Sequence, residues 1–285
     1  MTDAETGDDV RIGWVVLTMG DRPAALDAAT ASLPSGSCLV VSNGAGPVTT
    51  GSATATLELA ENVGIPAGRH AGLRHGSAPI VGFLDDDAVL LGDPDAIAAA
   101  FRADPQLGAV ALRLVDEDGG TARRHVPRLG GRDPDVSGDV ALFLGGACAV
   151  RRTAYDQVGG YFTELFYGHE EVELCWRLVD AGWSVRYLAD VQVFHPRSTI
   201  ERHADGWEST GRNRVLIARR TLPWPVAIVH VTVWLVLGLR RAPSAELRRR
   251  YLAGWRNGWR PDVDRVPISW RGVWRLTRLR RPPIV

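Results

Sequence analysis

The sequence predicts an α/β fold: a mostly parallel sheet with helices on both faces, followed by a helical, basic extension. Apolar runs of strand length alternate with helical stretches through the first two thirds of the chain, the pattern of a sheet covered on both sides. One of these runs ends in three consecutive aspartates, Asp85, Asp86 and Asp87, at the strand end where open sheets of this kind bind ligands. The charge then divides the chain. Residues 1–196 carry 14 Arg and 27 Asp plus Glu, a net −13, while residues 197–285 carry 19 Arg and 6 Asp plus Glu, a net +13. A split of that size separates an acidic, ion-binding body from a basic tail that meets something anionic.

Residues 11–18 (RIGWVVLT) read as a buried strand, broken by Gly20, with Pro23 opening a helix to about residue 33. Residues 37–41 form a second strand that ends in the turn Ser42-Asn43-Gly44, and 54–59 a third. A short helix over 66–75 leads to the central strand 79–84 (PIVGFL). A helix near 95–102 and a strand over 108–115 follow, then a Gly/Asp/Pro-rich connection, 116–138. The apolar run 140–150 contains Gly145-Gly146 and precedes a helix near 152–158. After a loop, 159–168, a helix spans 170–181 and stops at Gly182; 184–189 and 191–195 read as two short strands. Beyond Pro196 come an Arg-rich helix to about residue 220, an apolar stretch and an Arg/Trp-rich end. The change of composition places a domain boundary near residue 200, between a body, 1–200, and an extension, 201–285.

With 285 residues, 45% of them hydrophobic, the chain is neither disordered nor a fibrous repeat. Three widely spaced cysteines, Cys38, Cys148 and Cys175, form no disulfide framework and no zinc cluster. The first ten residues are acidic and polar, the opposite of a secretion signal, so the expected compartment is the cytoplasm. No lysine occurs, and seven of the ten tryptophans follow residue 196. Trp and Arg together suit a membrane–water interface or a nucleic-acid surface.

Adjacent carboxylates repel, and a divalent cation relieves them; Mg2+ and Mn2+ prefer such oxygen ligands and bridge them to phosphates. The bland alternative for Asp85-Asp86-Asp87 is a solvated acidic turn. Asp85-x-Asp87 also resembles a phosphatase nucleophile motif, but that chemistry relies on a lysine that this chain lacks. A second cluster, His169-Glu170-Glu171-Val172-Glu173-Leu174-Cys175-Trp176-Arg177, opens a helix; acids there favour the helix dipole whatever else they do. Glu170 and Glu171 project about 100° apart, so one is free to anchor structure while the other faces a cleft as a base. His195 ends a strand and is a candidate third ligand for the aspartates' ion.

In order along the chain stand Thr18, Val41-Ser42-Asn43-Gly44, Glu61-Asn62-Val63-Gly64-Ile65-Pro66-Ala67-Gly68-Arg69 and Phe83-Leu84-Asp85-Asp86-Asp87. Gly145-Gly146-Ala147, Val158-Gly159-Gly160-Tyr161, Glu170-Glu171-Val172-Glu173 and Val193-Phe194-His195 complete the series. Over residues 11 to about 215 this set resembles glycosyltransferase family 2, inverting enzymes of the Rossmann-like A-type nucleotide-sugar fold. The likeness is greatest to bacterial rhamnosyl- and galactofuranosyl-transferases. The resemblance implies that Asp85, Asp87 and His195 hold Mg2+ or Mn2+. It implies that Thr18, Asn43, Asn62, Arg69, Asp85, Asp86, Arg212 and Arg214 serve the nucleotide and its diphosphate. Glu171 matches the catalytic base, and Gly145, Gly146, Glu170 and Trp176 would face the acceptor. The chain departs from the family at Ser42, His70 and Phe162-Thr163, and in reading Glu-Glu-Val-Glu for the commoner Glu-Asp-x-Asp.

The implied reaction moves a sugar from dTDP-rhamnose or a UDP-sugar to a hydroxyl of an envelope glycan, a lipid-linked carrier or a small molecule. Nucleic acid is not an expected partner of that enzyme. A non-catalytic nucleotide- or nucleic-acid-binding protein is the competing reading of the Arg/Trp tail. The apolar stretch 223–239 has seventeen residues, about 25 Å as helix. A membrane core takes roughly 20 residues. Arg pairs at both ends and the later tryptophans fit a segment resting on the cytoplasmic face of the inner membrane, with a buried core helix as the alternative.

Overall fold

The computed structural model describes residues 10–197 and 206–284. Strands β1 (Ile12–Thr18), β2 (Cys38–Asn43), β3 (Ala55–Leu59) and β4 (Ile80–Asp85) are mutually parallel, in the spatial order β3-β2-β1-β4. Helices α1 (Pro23–Ala31), α2 (Ile65–His75) and α3 (Pro94–Ala103) make the crossovers. Each of the three carries a proline in its first turn, where the missing N–H costs no hydrogen bond. Alternate residues of each strand feed two cores, one per face of the sheet. Val15, Val81 and Phe83 enter one; Trp14, Val16, Ile80 and Leu84 enter the other. Gly82 has no side chain because the Trp14 indole lies across it: a Cβ there would sit 2.4 Å from the ring.

The other half of the sheet is mixed. β8 (Ala147–Arg151) runs antiparallel to both β4 and β6 (Leu107–Val115). The chain reaches β8 from the carboxyl edge of the parallel strands, with Gly146 beside Asp85, and so enters the sheet antiparallel to its neighbours. Only the last part of the apolar run 140–150 is strand; the rest is irregular, although Val140 to Phe143 are buried. The two short strands expected over 184–195 are one, β9 (Ser184–Phe194), parallel to β6. A bulge between Leu112 and Arg113 of β6 absorbs the extra residues of β9, which is why the hydrophobic pattern looked interrupted. Two-residue strands β5 (Val89–Leu90) and β7 (Gly138–Asp139) also pair with β9 and are too short to leave a periodic signal.

After α4 (Arg152–Gln157) comes α5 (Glu170–Ala181), ended by Gly182 at φ 102°. Residue 200, where the composition divides, lies outside the described residues. Beyond it stand α6 (Gly206–Thr221), α7 (Trp224–Arg241), α8 (Ala245–Asn257) and α9 (Trp270–Arg278). Val215, Leu216, Ile217 and Ala218 of α6 are fully buried in the same core as Leu174 and Leu178 of α5. The α7 helix is long and apolar enough to cross a membrane by length and composition, but only 22% of it is buried. Trp224, Ile228, Val229 and Val236 are exposed, so it is not a core helix.

Glu173 ties the extension to α5. Its carboxylate, fully buried, pairs with Arg177 one turn on and accepts from Thr221 Oγ1 at 2.9 Å; Arg220 Nε lies 3.4 Å away. Arg177 also donates to the carbonyls of Val158 and of Gly160, the latter at 2.6 Å, pinning the turn before the site. Glu173→Ala leaves buried cations without their anion and should lower unfolding stability by about 3–5 kcal/mol in urea titration; an unchanged midpoint would contradict this account.

Candidate active site

The carboxyl edge of the parallel strands gathers the acidic triplet. Asp85 ends β4, and Asp86 turns inward, where its buried carboxylate accepts from Thr18 Oγ1 at 2.6 Å. Arg22, just before α1, pairs with both Asp86 and Asp87. Asp85 and Asp87 therefore each have one oxygen held by a guanidinium, Asp85 by Arg69 and Asp87 by Arg22, and the other aimed at one place. His195 Nε2 faces that place, 3.6 Å from Asp85 Oδ2 and 3.5 Å from Asp87 Oδ1.

These separations are long for hydrogen bonds but suit ligands around one small cation, whose bonds of about 2.1 Å space its neighbours on the order of 3 Å apart. The three ligand atoms lie within 4.8 Å of one another. His195 Nδ1 lies 2.8 Å from the Pro196 carbonyl, which takes its proton and leaves Nε2 as the free lone pair. Two carboxylates and an imidazole form a donor set suited to a divalent cation. Without an ion, protonated His195 takes its place. Burial lowers the imidazole pKa, but Asp85 and Asp87 outweigh burial and raise it to about 8. Burial raises the Asp85 carboxyl, but Arg69 and His195 hold it at about 2.

Arg69, on α2 and almost wholly buried, joins this cluster to the next. Its Nη2 donates to Asp85 Oδ1 at 2.6 Å and its Nη1 to Glu170 Oε1 at 3.2 Å. The Gly145-Gly146 turn passes directly over this bridge. A Cβ on Gly145 would meet Arg69 Nη1 at 2.3 Å, and one on Gly146 would meet Asp85 Oδ2 at 1.9 Å. The Asp85 N–H donates to the Gly146 carbonyl at 3.1 Å.

Glu170 and Glu171 open α5 behind a strained N-cap, His169 at φ 75°. Despite their different directions on the helix, each carboxyl shifts the pKa of the other. Glu170 is anchored by Arg69. Burial raises the pKa of both; Glu171, which also feels the charge of Glu170, is held protonated up to about 8, and the Oε2 of each has no partner among the described residues. Neighbouring carboxyls in unequal environments divide into an anchor and a proton carrier.

Other expected positions fall around this centre with differing roles. Asn43 and Asn62 hydrogen-bond to each other at 2.9 Å; Asn43 Oδ1 accepts from Val63 N, and Asn62 Oδ1 from Gly64 N. They brace the loop before α2. Thr18 Oγ1 is engaged by Asp86 and by Gly20 N. Trp176 is buried edge-on against His230 of α7, 5.5 Å between ring centres. Arg212 donates to the Glu164 carbonyl at 3.1 Å, while Arg214 is buried over the Trp234 ring at 3.5 Å. Between those two arginines, Asn213 Nδ2 lies 2.8–3.0 Å from the carbonyls of Leu165, Tyr167 and Gly168, fixing the approach to α5. Nothing in the sequence pattern singled out Arg22, Tyr167 or His125, and Asn213 stood there only as the middle of the basic element Arg212-Asn213-Arg214. His125 stands edge-on to His195, 6.4 Å between ring centres. Only Arg22 had a local signal, a cation immediately before a helix that starts at the catalytic edge.

No protein-family model matches the chain. Over 234 residues, 74% of this chain and 49% of the relative, it is 29% identical to a pre-mycofactocin glycosyltransferase of Mycobacterium tuberculosis. Over 162 residues, 45% of this chain and 50% of the relative, it is 30% identical to an N-acetylglucosaminyl-diphospho-decaprenol L-rhamnosyltransferase of the same species. The chain spans about half the length of the curated relatives it matches. Its fold matches GalNAc-T7 with UDP, GalNAc and Mn2+ at TM-score 0.60 and 12% identity, over 86% of this chain and 54% of that one. It also matches the mannosyltransferase PcManGT of Pyrobaculum calidifontis, with GDP-Man and Mn2+, at TM-score 0.52 and 17% identity. That match covers 95% of this chain and 73% of the other.

The close approach of Gly146 to Asp85 gives a test of the cation site that substitutes none of its candidate ligands. Gly146→Ala should displace the Asp85 carboxylate and weaken Mn2+ binding by about tenfold or more in calorimetry, with far-UV circular dichroism unchanged. Wild-type affinity in that variant would sink the assignment of Asp85 as a ligand.

Proposed function

We propose that this chain, related in sequence to glycosyltransferases and folded as an A-type member of them, is a metal-dependent inverting glycosyltransferase of the family 2 kind. It would move a sugar from a nucleoside-diphosphate donor, dTDP-rhamnose or a UDP-sugar, to an acceptor hydroxyl. The observation that carries this reading is the Arg69 bridge, which sets the cation-ligating Asp85 and the proton-carrying pair Glu170–Glu171 on two sides of one guanidinium. A bound Mn2+ or Mg2+ would neutralise the donor diphosphate and stabilise the charge that develops on it as it leaves.

The chain's own groups supply the rest. Asp85, Asp87 and His195 would hold the ion. Arg22 and Arg69 keep the aspartates from turning away when the ion is absent. Glu171 accepts the proton of the attacking hydroxyl, and Glu170, fixed by Arg69, sets its direction and its basicity. One displacement, with the base opposite the leaving diphosphate, inverts the anomeric carbon. The rhamnosyltransferase relative is named for a diphospho-decaprenol acceptor. An acceptor of that kind gives the exposed apolar side of α7 a purpose, resting on the cytoplasmic face of the membrane.

Glu171→Gln should reduce transfer by about 10²–10⁴-fold while donor binding persists; turnover at the wild-type level would remove Glu171 from this role. Wild-type turnover should rise with pH across neutrality as Glu171 ionises, and the residual activity of the Gln variant should not. Stability runs the other way. The unfolded chain releases this proton in the ordinary carboxylate range and the folded one holds it to higher pH, so wild-type stability falls as pH rises between those values. The melting temperature of Glu171→Gln should gain on wild type from about pH 5 to about pH 8. A constant difference would show that Glu171 is not held protonated.

On the membrane side, wild type should float with anionic liposomes, and the double variant Ile228→Glu, Val236→Glu should stay in the dense fraction. Equal flotation would place the lipid contact elsewhere.

A further inference from the structure

β6 and β9 run parallel and leave the sheet side by side, Val115 paired with Phe194. The pairing extends one step past β9, where the His195 N–H donates to the Val115 carbonyl at 2.9 Å. Beyond β6 the chain makes the acidic turn Asp116-Glu117-Asp118-Gly119-Gly120; beyond β9 it continues as His195-Pro196-Arg197. The turn fixes its own shape. Asp116 Oδ1 accepts from the backbone N–H groups of Asp118 and Gly120, both at 3.1 Å, and the Asp116 N–H donates to the Gly120 carbonyl at 2.9 Å. Its Oδ2 takes the Arg197 guanidinium, from Nε at 3.0 Å and from Nη2 at 2.9 Å, and Asp118 pairs with the same Nη2. Glu117 takes the Arg197 backbone: that N–H donates to Glu117 Oε1 at 3.1 Å.

A peptide unit is planar and trans, so its N–H and C=O point in opposite directions and turn together. The unit between Pro196 and Arg197 presents its N–H to Glu117 and its C=O to His195 Nδ1, the latter at 2.8 Å. Whatever holds the first end aims the second. Exposed ion pairs add little to stability, and the side chains of Arg197 and Glu117 are 59% and 49% exposed. Such a cluster is better suited to orienting a neighbour than to holding the fold. We propose that Glu117 and Arg197 are positioning residues for the cation site. They lock the Pro196–Arg197 peptide so that its carbonyl keeps a proton on His195 Nδ1 and the Nε2 lone pair faces the ion. Ligating histidines are oriented in this way by the partner of their other ring nitrogen. The role rests on the metal-dependent glycosyltransferase reading and deepens it. The machinery that holds the ion then reaches into the turn after β6, part of what the sequence presents only as a Gly/Asp/Pro-rich connection.

For Arg197, charge alone predicts the opposite effect. Removing a cation tightens the binding of a nearby Mn2+, whereas losing an anchor for His195 loosens it. Mn2+ is titrated calorimetrically into the full chain and its variants, whose exposed positions leave the fold in place. Arg197→Ala and Glu117→Ala should each bind Mn2+ about tenfold more weakly than wild type. Glu117→Gln keeps an oxygen to accept the Arg197 N–H but carries no charge, and should bind as wild type does. In a His195→Ala background, Glu117→Ala should cost nothing further, because its effect passes through that ring. Three results would each overturn the role. These are tighter or unaltered binding by Arg197→Ala, a Glu117→Gln variant as weak as Glu117→Ala, or an undiminished further loss when His195 is already gone. No Mn2+ binding by wild type overturns the cation site itself, and this role with it. Wild-type binding beside unaltered variants overturns the positioning role alone.

Discussion

A single buried guanidinium organises the site. Arg69 donates one arm to Asp85 and the other to Glu170, so the end of β4 and the start of α5 cannot move independently. The planar fork of arginine spans two carboxylates in a way that a lysine ammonium does not. Its burial is tolerable only because both anions are present, and theirs only because it is. Gly145 and Gly146 complete the arrangement by leaving room for the bridge beneath the turn that leads into β8. The same fork opposes the burial that raises the Glu170 pKa, and the charge of Glu170 adds to burial in keeping Glu171 protonated.

The basic extension is structurally part of this site. Asn213 gathers the carbonyls that lead into α5, and Thr221 donates to Glu173 inside it. Many of its arginines are also engaged within the chain. Arg265 lies over Trp224 at 4.1 Å, Arg278 over Trp274 at 4.6 Å, and Arg219 donates to the carbonyls of Gly258 and Pro261. Part of the Arg and Trp that composition marks as an adhesive surface is thus engaged in cation–π contacts within the chain. Trp224, Trp270 and Trp274 nevertheless stay exposed, as does the apolar side of α7.

The parallel half of the sheet was legible because its strands are apolar runs separated by helices whose starts are marked by proline. The Asp triplet, His195 and the acids opening α5 were legible because chemistry-bearing residues at strand and helix ends have few other reasons to cluster. The mixed half was not. β5 and β7 are two residues long, the break in β9 is a bulge set by its neighbour β6, and the antiparallel entry of β8 follows from a loop crossing the catalytic edge. None of these has a period that one strand carries by itself.

Residue types and their spacing determined the sheet class, the helix that bears Glu171 and the aspartates suited to a divalent ion, since each depends on interactions within a dozen residues. Which oxygen of each aspartate is left for the ion, which of two adjacent glutamates is anchored, and which partners Asn43, Thr18 and Trp176 hold were decided only in three dimensions. Those outcomes depend on partners far along the chain, Arg22 for Asp87, Arg69 for Glu170 and His230 for Trp176, brought together by packing. Hydrogen-bond satisfaction in a buried site is a property of the whole neighbourhood, and no segment of sequence contains it.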